Sequence, residues 1–323
     1  MTGGKIMLFK KKIIPAETVS LDFPYPGNGN KTVRVFVPEH KKGEKLPVIY
    51  MTDGQSVFDE ESNPMGCWHT REEMESEKAS TGKSAIIVGI HSDPNPMLRT
   101  AELTPASIGR FVPPPMPDNM PPQMPPQMPP QMPPEMLAQM PPEMLSQMPP
   151  QMPPEMSPEM MHKMMDDMMK DFAPAGEKFD DFVIKTVMPA VEKQFPVKKG
   201  GRNTAIIGSS SGGLEVFYIA MSHNDLFSAV GVLSPTFLFY AEDDIKNWVA
   251  KMLTKNCPFI YLYCGEGEPK EKQMCDAARP VFELIKEKAP KGKVKEVISP
   301  DGIHNESAWQ SVFKDFIHVF LAE

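Results

Sequence analysis

A glycine- and serine-rich hexapeptide at residues 208–213 constrains the fold of this chain more than any other feature. It reads Gly-Ser-Ser-Ser-Gly-Gly and lies directly between two apolar segments. Residues 204–207 before it have the composition of a buried strand, and residues 214–222 after it have the pattern of a helix. The sequence therefore predicts a sharp strand–turn–helix junction, with glycines where the turn leaves no room for side chains.

Three serines occupy this turn, but only one of them has the spacing Gly-x-Ser-x-Gly. Ser210 has Gly208 two residues before it and Gly212 two residues after it. Between a strand and a helix, this pattern is typical of a nucleophile elbow, which holds a serine hydroxyl exposed above a sheet. The alternatives are a flexible Gly/Ser linker and a phosphate-binding turn. The apolar segments on both sides favour the elbow.

A serine nucleophile needs a histidine base, and in chains with such an elbow the order is serine, acid, histidine. Only His223, His304 and His318 follow Ser210. His223 ends the helix of the elbow, about two turns from the hydroxyl, and His318 lies inside the last amphipathic helix. His304 lies in a loop between a predicted strand and a predicted helix. We therefore predict that His304 is the base.

The acid that orients the histidine should follow the predicted strand 258–264. Glu266 and Glu268 lie there, in the sequence Cys-Gly-Glu-Gly-Glu. We predict Glu268, because the glycines before it let the chain turn back toward the histidine, and we keep Glu266 in reserve. Asp301 could also accept a bond from His304, but it would have to reach back along its own loop. An acidic loop that is merely solvated is the alternative.

Backbone N–H groups should bind the oxyanion, and one of them belongs to the residue after the nucleophile, Ser211. The second should come from the loop after the predicted strand 46–51. Gly54 permits an unusual backbone conformation in that loop, and Gln55 would present its N–H there. We predict Ser211, Gly54 and Gln55 as the oxyanion hole.

Four segments in order resemble the putative esterase family of α/β-hydrolases, which includes enterochelin-esterase-like, feruloyl-esterase-like and esterase-D-like enzymes. They are residues 50–59, 206–214, 232–235 and 304–309. The likeness runs through most of residues 17–106 and 176–321. The family often has methionine where this chain has serine after the nucleophile, but only the backbone N–H is needed at that position.

The resemblance implies a serine carboxylesterase that forms an acyl-enzyme, with Ser210 as nucleophile and His304 as base. It also supports an acid within residues 265–268. The implied partner is a small-molecule ester. An acyltransferase that uses the same triad is the second reading.

The order of the predicted elements favours a single domain over residues 1–323. Strands alternate with helices, which predicts an α/β-hydrolase fold with a mostly parallel central sheet and helices on both faces. The predicted strands are residues 18–23, 32–38, 46–51, 85–90, 204–207, 229–234, 258–264 and 293–298. The predicted helices are residues 68–79, 178–195, 214–222, 270–288 and 306–321.

A Met-Pro-Pro-Gln/Glu repeat interrupts this domain at residues 113–160, with methionine at every fourth position. Repeated Pro-Pro pairs exclude an α-helix and supply no donors for a sheet, so we predict a mobile, extended low-complexity insertion. Residues 159–172 are predicted to form a methionine-rich helix. The repeat lies outside the family pattern. A non-enzymatic reading therefore stays open, in which the insertion binds an apolar partner or, through its thioethers, copper.

Charge and composition narrow the remaining classes. Residues 113–169 hold seven acidic residues and one lysine, so they carry −6 of the net charge of −8. With no basic stripe, we expect no nucleic-acid partner. The first residues lack the pattern of a secretory signal, and no apolar run reaches membrane-spanning length. The four cysteines have neither zinc nor disulfide spacing. We therefore predict a cytoplasmic enzyme without metal or cofactor, and the sequence leaves its oligomeric state open.

Overall fold

The computed structural model of the chain describes residues 12–27, 29–59, 66–112 and 172–322. The chain divides into two units, residues 1–112 with 173–323 and residues 113–172. The predicted repeat insertion 113–160 lies outside the described residues, and so does the predicted helix 159–172 except for its last residue.

In the part of the chain that the structure describes, eight strands form a central sheet in the order β10-β9-β8-β7-β5-β6-β3-β2. Strands β6, β5, β7, β8, β9 and β10 run parallel, and β3 and β2 complete the sheet in antiparallel pairing. Two further short strands, β1 and β4, pair with each other. The strand bounds are β1 Ile13–Ile14, β2 Glu17–Pro24, β3 Asn30–Val37, β4 His40–Lys41, β5 Val48–Met51, β6 Ile86–Ile90, β7 Thr204–Ser209, β8 Ala229–Leu233, β9 Phe259–Gly265 and β10 Val294–Ser299.

The burial of each strand follows from its place in the sheet. Every residue of the five strands β5 to β9 is buried, as expected of parallel strands that are covered on both faces. Their uniformly apolar sequences are the pattern that predicted central strands. The edge strand β2 instead alternates exposed and partly buried residues. The predicted mostly parallel sheet is confirmed.

The helices of the described chain alternate with these strands. Their bounds are α1 Thr70–Thr81, α2 Pro96–Glu102, α3 Gly176–Phe182, α4 Met188–Gln194, α5 Ser211–Ser222, α6 Glu242–Met252, α7 Pro269–Lys288 and α8 Glu306–Ala322. A π-helical turn, Val183–Val187, joins α3 to α4. None of the described helices has the length and apolar character needed to cross a membrane.

Two helices, α2 and α6, were not predicted. The buried side chains Ile245, Trp248 and Val249 of α6 do have the i, i+3, i+4 spacing of an amphipathic helix. In α2 the signal is a cap, because the Asn95 side chain accepts the N–H groups of Met97 and Leu98.

The helices cover the sheet in two layers, each with its own apolar core. On one face lie α1 and α8, and the rings of Trp309 and Phe313 on α8 lie 6.1 Å and 6.2 Å from Trp68, which precedes α1. Helices α3 to α7 contribute to the core on the other face, where Phe217 lies 5.9 Å from Trp248. Within that layer α5 is the most enclosed helix, because each of its residues from 211 to 221 is buried.

The parallel strands bring several loops to one edge of the sheet. The carboxyl ends of β5, β7, β8, β9 and β10 all lie there, and ligands of open α/β sheets bind at this edge. The predicted site residues Gly54, Ser210, Glu268 and His304 all follow one of these strands. The topology therefore collects the predicted site at one end of the molecule.

Candidate active site

The turn between β7 and α5 has the strained geometry expected of an elbow. Ser210 has φ 59° and ψ −128°, a conformation that is costly for a residue other than glycine. Its N–H donates to the Leu233 carbonyl at 2.9 Å, and its own carbonyl accepts from Leu214 N at 3.1 Å. These bonds tie the strained residue to β8 and to the start of α5. The predicted strand–turn–helix junction is present.

The glycines on either side of Ser210 are required by the loop that follows β5. A Cβ at Gly208 would lie 2.5 Å from Oγ1 of Thr52, and a Cβ at Gly212 would lie closer still. The loop and the elbow therefore touch directly. This contact brings the loop that contains Gly54 and Gln55 against the turn that contains Ser210.

The predicted base is held by a buried carboxylate. Nδ1 of His304 lies 2.6 Å from Oε2 of Glu271, and the side chains of the two residues are 7% and 0% exposed. Oε1 of Glu271 accepts from Gly265 N at 2.7 Å and from Ser234 Oγ. Trp309 closes the cluster, since its Nε1 donates to Ser234 Oγ at 3.1 Å and its ring meets the imidazole edge-on at 4.9 Å.

The structure corrects the predicted partner of His304. Glu268 does not reach the imidazole, because its Oε1 accepts the backbone N–H of His304 at 3.0 Å. The reserve residue, Glu266, pairs instead with Arg279 on an exposed part of α7. The carboxylate on the histidine ring is therefore Glu271, one turn further along the chain. The Glu268 side chain holds the histidine loop, and the residue occupies the N-cap position of α7 without a side-chain capping bond.

A signal for Glu271 was present in the sequence. The buried positions of α7 include residues 271, 274, 275, 278, 281, 282 and 285, the i, i+3, i+4, i+7 stripe of a core-facing helix. Glu271 is the acidic residue in phase with Met274, Cys275 and Ala278. The lysines on either side of it, Lys270 and Lys272, are typical of a solvated helix face. Sequence reasoning therefore did not assign Glu271 to the site.

The pKa shifts of Glu271 and His304 indicate which of the two groups carries the proton. Burial would raise the pKa of Glu271, but the bonds from His304, Ser234 and Gly265 outweigh it and hold the pKa below its usual value. Burial lowers the pKa of His304, and the bond to Glu271 offsets this in part. At neutral pH the pair is thus a carboxylate and a neutral imidazole. Because a carboxylate only accepts, Nδ1 carries the proton and Nε2 keeps its lone pair.

Ser210 and the His304–Glu271 pair are connected indirectly, through the end of β8. Ser210 N donates to Leu233 O, and the side chain of Ser234, which directly follows Leu233, donates to Oε1 of Glu271. Among the described residues, no hydrogen bond joins the Ser210 side chain to His304. Such bonds are often long in unliganded sites and shorten when substrate binds.

The predicted oxyanion loop is held in an unusual conformation. Asp53 has left-handed backbone angles, φ 56° and ψ 45°, and Gly54 lies so close to β6 that a Cβ would overlap the backbone of Gly89. Ser211 is the first residue of α5 and is buried. The first N–H groups of a helix have no partner within it and carry partial positive charge.

The Asp53 carboxylate is paired with Arg99. Burial would raise the pKa of Asp53, but the charge and hydrogen bonds of Arg99, with bonds from Ser92 and Gln55, hold it below its usual value. Asp53 is thus an anion in the predicted oxyanion loop, and Arg99 balances its negative charge. Sequence analysis did not identify Arg99 or Ser92.

The other two histidines after Ser210 lie outside this cluster. His223 Nε2 lies 3.0 Å from Oδ2 of Asp180, and His318 Nδ1 lies 3.2 Å from Oε1 of Glu77. Within the described ranges, no group of three or more His, Cys, Asp and Glu side chains is arranged to hold a metal ion.

The sheet order, with a strained serine between β7 and α5 and a histidine after the last strand, is that of the α/β-hydrolase fold. Residues 169–317 match the family model described as "Putative esterase", which confirms the family resemblance of the sequence motifs. The fold and this match support an enzyme that hydrolyses esters.

Known proteins agree with this class. A stretch of 95 residues is 30% identical to an endo-1,4-beta-xylanase/feruloyl esterase of Xylanibacter ruminicola, and it covers 29% of this chain but only 12% of that protein. The fold is similar to that of a ferulic acid esterase, with 14% identity, a TM-score of 0.58 and coverage of 95% and 98% of the two chains. The ferric enterobactin esterase of Salmonella typhimurium gives a TM-score of 0.60 at 13% identity, covering 94% of this chain and 58% of that one.

Proposed function

We propose that the protein is a serine carboxylesterase whose nucleophile, base and acid are Ser210, His304 and Glu271. The observation that carries this proposal is the 2.6 Å hydrogen bond between Nδ1 of His304 and Oε2 of Glu271. That bond lies at the sheet edge that bears the strained Ser210. A buried carboxylate on one imidazole nitrogen leaves the other nitrogen free to accept a proton, as a histidine base requires.

Acylation begins when Ser210 Oγ attacks the carbonyl carbon of the ester. Nε2 of His304 takes the hydroxyl proton, and Glu271 stabilises the imidazolium without taking that proton. The carbonyl oxygen becomes an oxyanion, which the N–H groups of Ser211 and of Gly54 or Gln55 bind. Each such donor contributes on the order of 3 kcal/mol to the transition state.

The intermediate then collapses and the ester C–O bond breaks. The alcohol leaves with the proton that His304 returns, and the acyl group stays on Ser210 Oγ. Water attacks this acyl-enzyme while His304 takes its proton, and the carboxylic acid departs as the proton returns to Oγ. The lowered pKa of His304 supports this cycle, because the imidazole is then neutral at neutral pH and able to accept a proton.

The first test replaces the nucleophile. Ser210→Ala should abolish turnover of p-nitrophenyl acetate and stop labelling by a fluorophosphonate, which intact mass spectrometry measures. Ser209→Ala is the matched control, because it alters the neighbouring serine of the same turn and should keep both activities. Undiminished turnover by Ser210→Ala, with the circular dichroism spectrum of the wild type, would refute the proposal.

The substrate is addressed by a panel of esters. The names of the similar proteins point to feruloyl and enterobactin-type esters, so feruloyl, acetyl-sugar and trilactone compounds belong in the panel beside simple aliphatic ones. The highest kcat/KM in this panel identifies the ester class. Product analysis with an added alcohol separates hydrolysis from acyl transfer.

A further inference from the structure

The loop after β5 has a strained residue at its centre. Asp53 is a buried, non-glycine residue in the left-handed region, with φ 56° and ψ 45°. Such a residue persists only where its surroundings hold it in place. Gly54 and Gln55 follow directly, so the backbone angles of Asp53 set the direction in which their N–H groups point.

The Asp53 carboxylate ties this loop to two other elements. Its Oδ1 accepts from Ser92 Oγ at 2.6 Å and from Arg99 Nε at 2.5 Å, and its Oδ2 accepts from Arg99 Nη2 at 2.7 Å. Ser92 follows β6, and Arg99 lies on α2. The loop is thus anchored on both sides through one carboxylate.

The Gln55 side chain closes the same network. Its Nε2 donates to Ser92 Oγ at 2.9 Å and to Asp53 Oδ1 at 3.4 Å, and its Oε1 accepts from Ser92 N at 3.2 Å. The residue that offers a backbone N–H to the oxyanion is therefore itself held by its side chain. Both ends of the segment 53–55 are restrained.

Besides anchoring the loop, Arg99 balances the negative charge of the Asp53 carboxylate. The carboxylate lies against the elbow, since a Cβ at Gly212 would be 2.9 Å from Oδ2 of Asp53. An unpaired carboxylate at this place would repel the negative charge that develops on the substrate oxygen. The bidentate guanidinium balances that charge and, being planar, also fixes the carboxylate in one orientation.

We propose that Arg99 and Asp53 are positioning residues of the oxyanion hole. Neither touches the substrate. They act through the backbone of Gly54 and Gln55, which they hold in the conformation that the transition state requires. This inference rests on the proposed function.

The kinetic test uses single and double variants with p-nitrophenyl acetate. Arg99→Gln should lower kcat/KM about 100-fold, mainly through kcat, because small misplacements of catalytic groups cost that much. Asp53→Asn should lose about tenfold, since the amide oxygen still accepts a hydrogen bond. The double variant should have a kcat/KM no lower than that of Arg99→Gln, because it has no unpaired carboxylate at residue 53. Losses that multiply would contradict the shared role.

A second measurement reports the oxyanion directly. A trifluoromethyl ketone adds to Ser210 and forms a hemiketal oxyanion, so its Ki should rise across the variants in proportion to the loss of kcat/KM. The Ki of the uncharged amide analogue of the substrate should not change. An unchanged ketone Ki, or an equal rise for the amide, would overturn the proposal.

The matched control is Glu102→Gln on the same helix. The Glu102 carboxylate bonds to buried Lys31 at 2.7 and 2.9 Å and makes no hydrogen bond to residues 53–55. This variant should keep wild-type kcat/KM and ketone Ki. A loss equal to that of Arg99→Gln would assign the effect to α2 in general and refute positioning. Turnover by Ser210→Ala would refute the esterase mechanism itself, so the two failures are distinguishable.

Discussion

Two glutamates, one on α5 and one on α7, have no exposed surface, and their surroundings are opposite. Glu271 on α7 accepts hydrogen bonds from His304, Ser234 and Gly265. Glu215 on α5 has no hydrogen-bond partner among the described residues for either carboxyl oxygen. Its carboxyl group lies against backbone, because a Cβ at Gly176 would overlap its Oε2.

Their pKa values move in opposite directions. Burial raises the pKa of Glu215 well above 4.5, and the nearby carboxylates Asp180, Glu177 and Glu102 raise it further. For Glu271 the partners outweigh burial and the pKa falls below 4.5. The folded structure thus favours the protonated form of Glu215 and the anionic form of Glu271. Partners, more than burial, decide the charge of an enclosed carboxyl group.

The largest effect should follow from Glu271→Gln. The amide cannot hold the imidazole in the same protonation state, so kcat for p-nitrophenyl acetate should fall about 10⁴-fold, as when the acid of a serine triad is neutralised. Glu268→Gln and Glu215→Gln are the controls, and both should retain most activity. If Glu268→Gln were the more damaging change, the originally predicted acid would be correct.

The pH dependence of kcat/KM sharpens the comparison further. The base form of His304 is lost only as pH falls through its lowered pKa, so activity should persist at pH 6.5, its ordinary pKa. The bond to Glu271 raises the pKa of His304, and its removal should therefore move the acid limb of Glu271→Gln to lower pH. In Glu215→Gln the limb should stay where it is in the wild type. A limb that moves upward in Glu271→Gln would contradict the assigned pair.

The smallest effect concerns stability and has opposite signs at the two sites. Glu215 binds its proton more tightly when folded than when unfolded, so the free energy of unfolding should fall as pH rises above about 4.5. Glu215→Gln removes this titration, so its free energy of unfolding should fall less than that of the wild type as pH rises from about 5 to about 8.

Glu271 is the counterpart. Its depressed pKa stabilises the fold above about pH 4.5, and this contribution is lost as pH falls. Glu271→Gln should therefore destabilise the protein more at pH 7 than at pH 4. Urea unfolding of both variants and the wild type across this range measures the two slopes, and slopes of the same sign would break the comparison.

Local patterns in the sequence were sufficient for much of the fold. The apolar runs at residues 85–90 and 229–234 predicted buried strands, and the glycine spacing selected Ser210. Chain order and loop position then selected His304. Each of these inferences depends on residues that are close in sequence.

The parts that were missed depend on distant contacts. Glu271 faces the histidine only because α7 begins at Pro269 and turns that side chain inward. Asp53 and Arg99 are 46 residues apart and meet only when α2 folds beside β6. Charged side chains at such positions resemble solvated ones until the tertiary contacts are known.

The complete burial of α5 has a consequence for how activity is lost. Backbone amides of so enclosed a helix exchange with solvent mainly when the whole domain unfolds. We expect the loop of His304, which includes the exposed residues Asp301 and Ile303, to open at a smaller free energy than α5. Mild denaturant should therefore separate the base from the serine while the serine itself stays in place, so that inactivation precedes global unfolding and reverses on dilution.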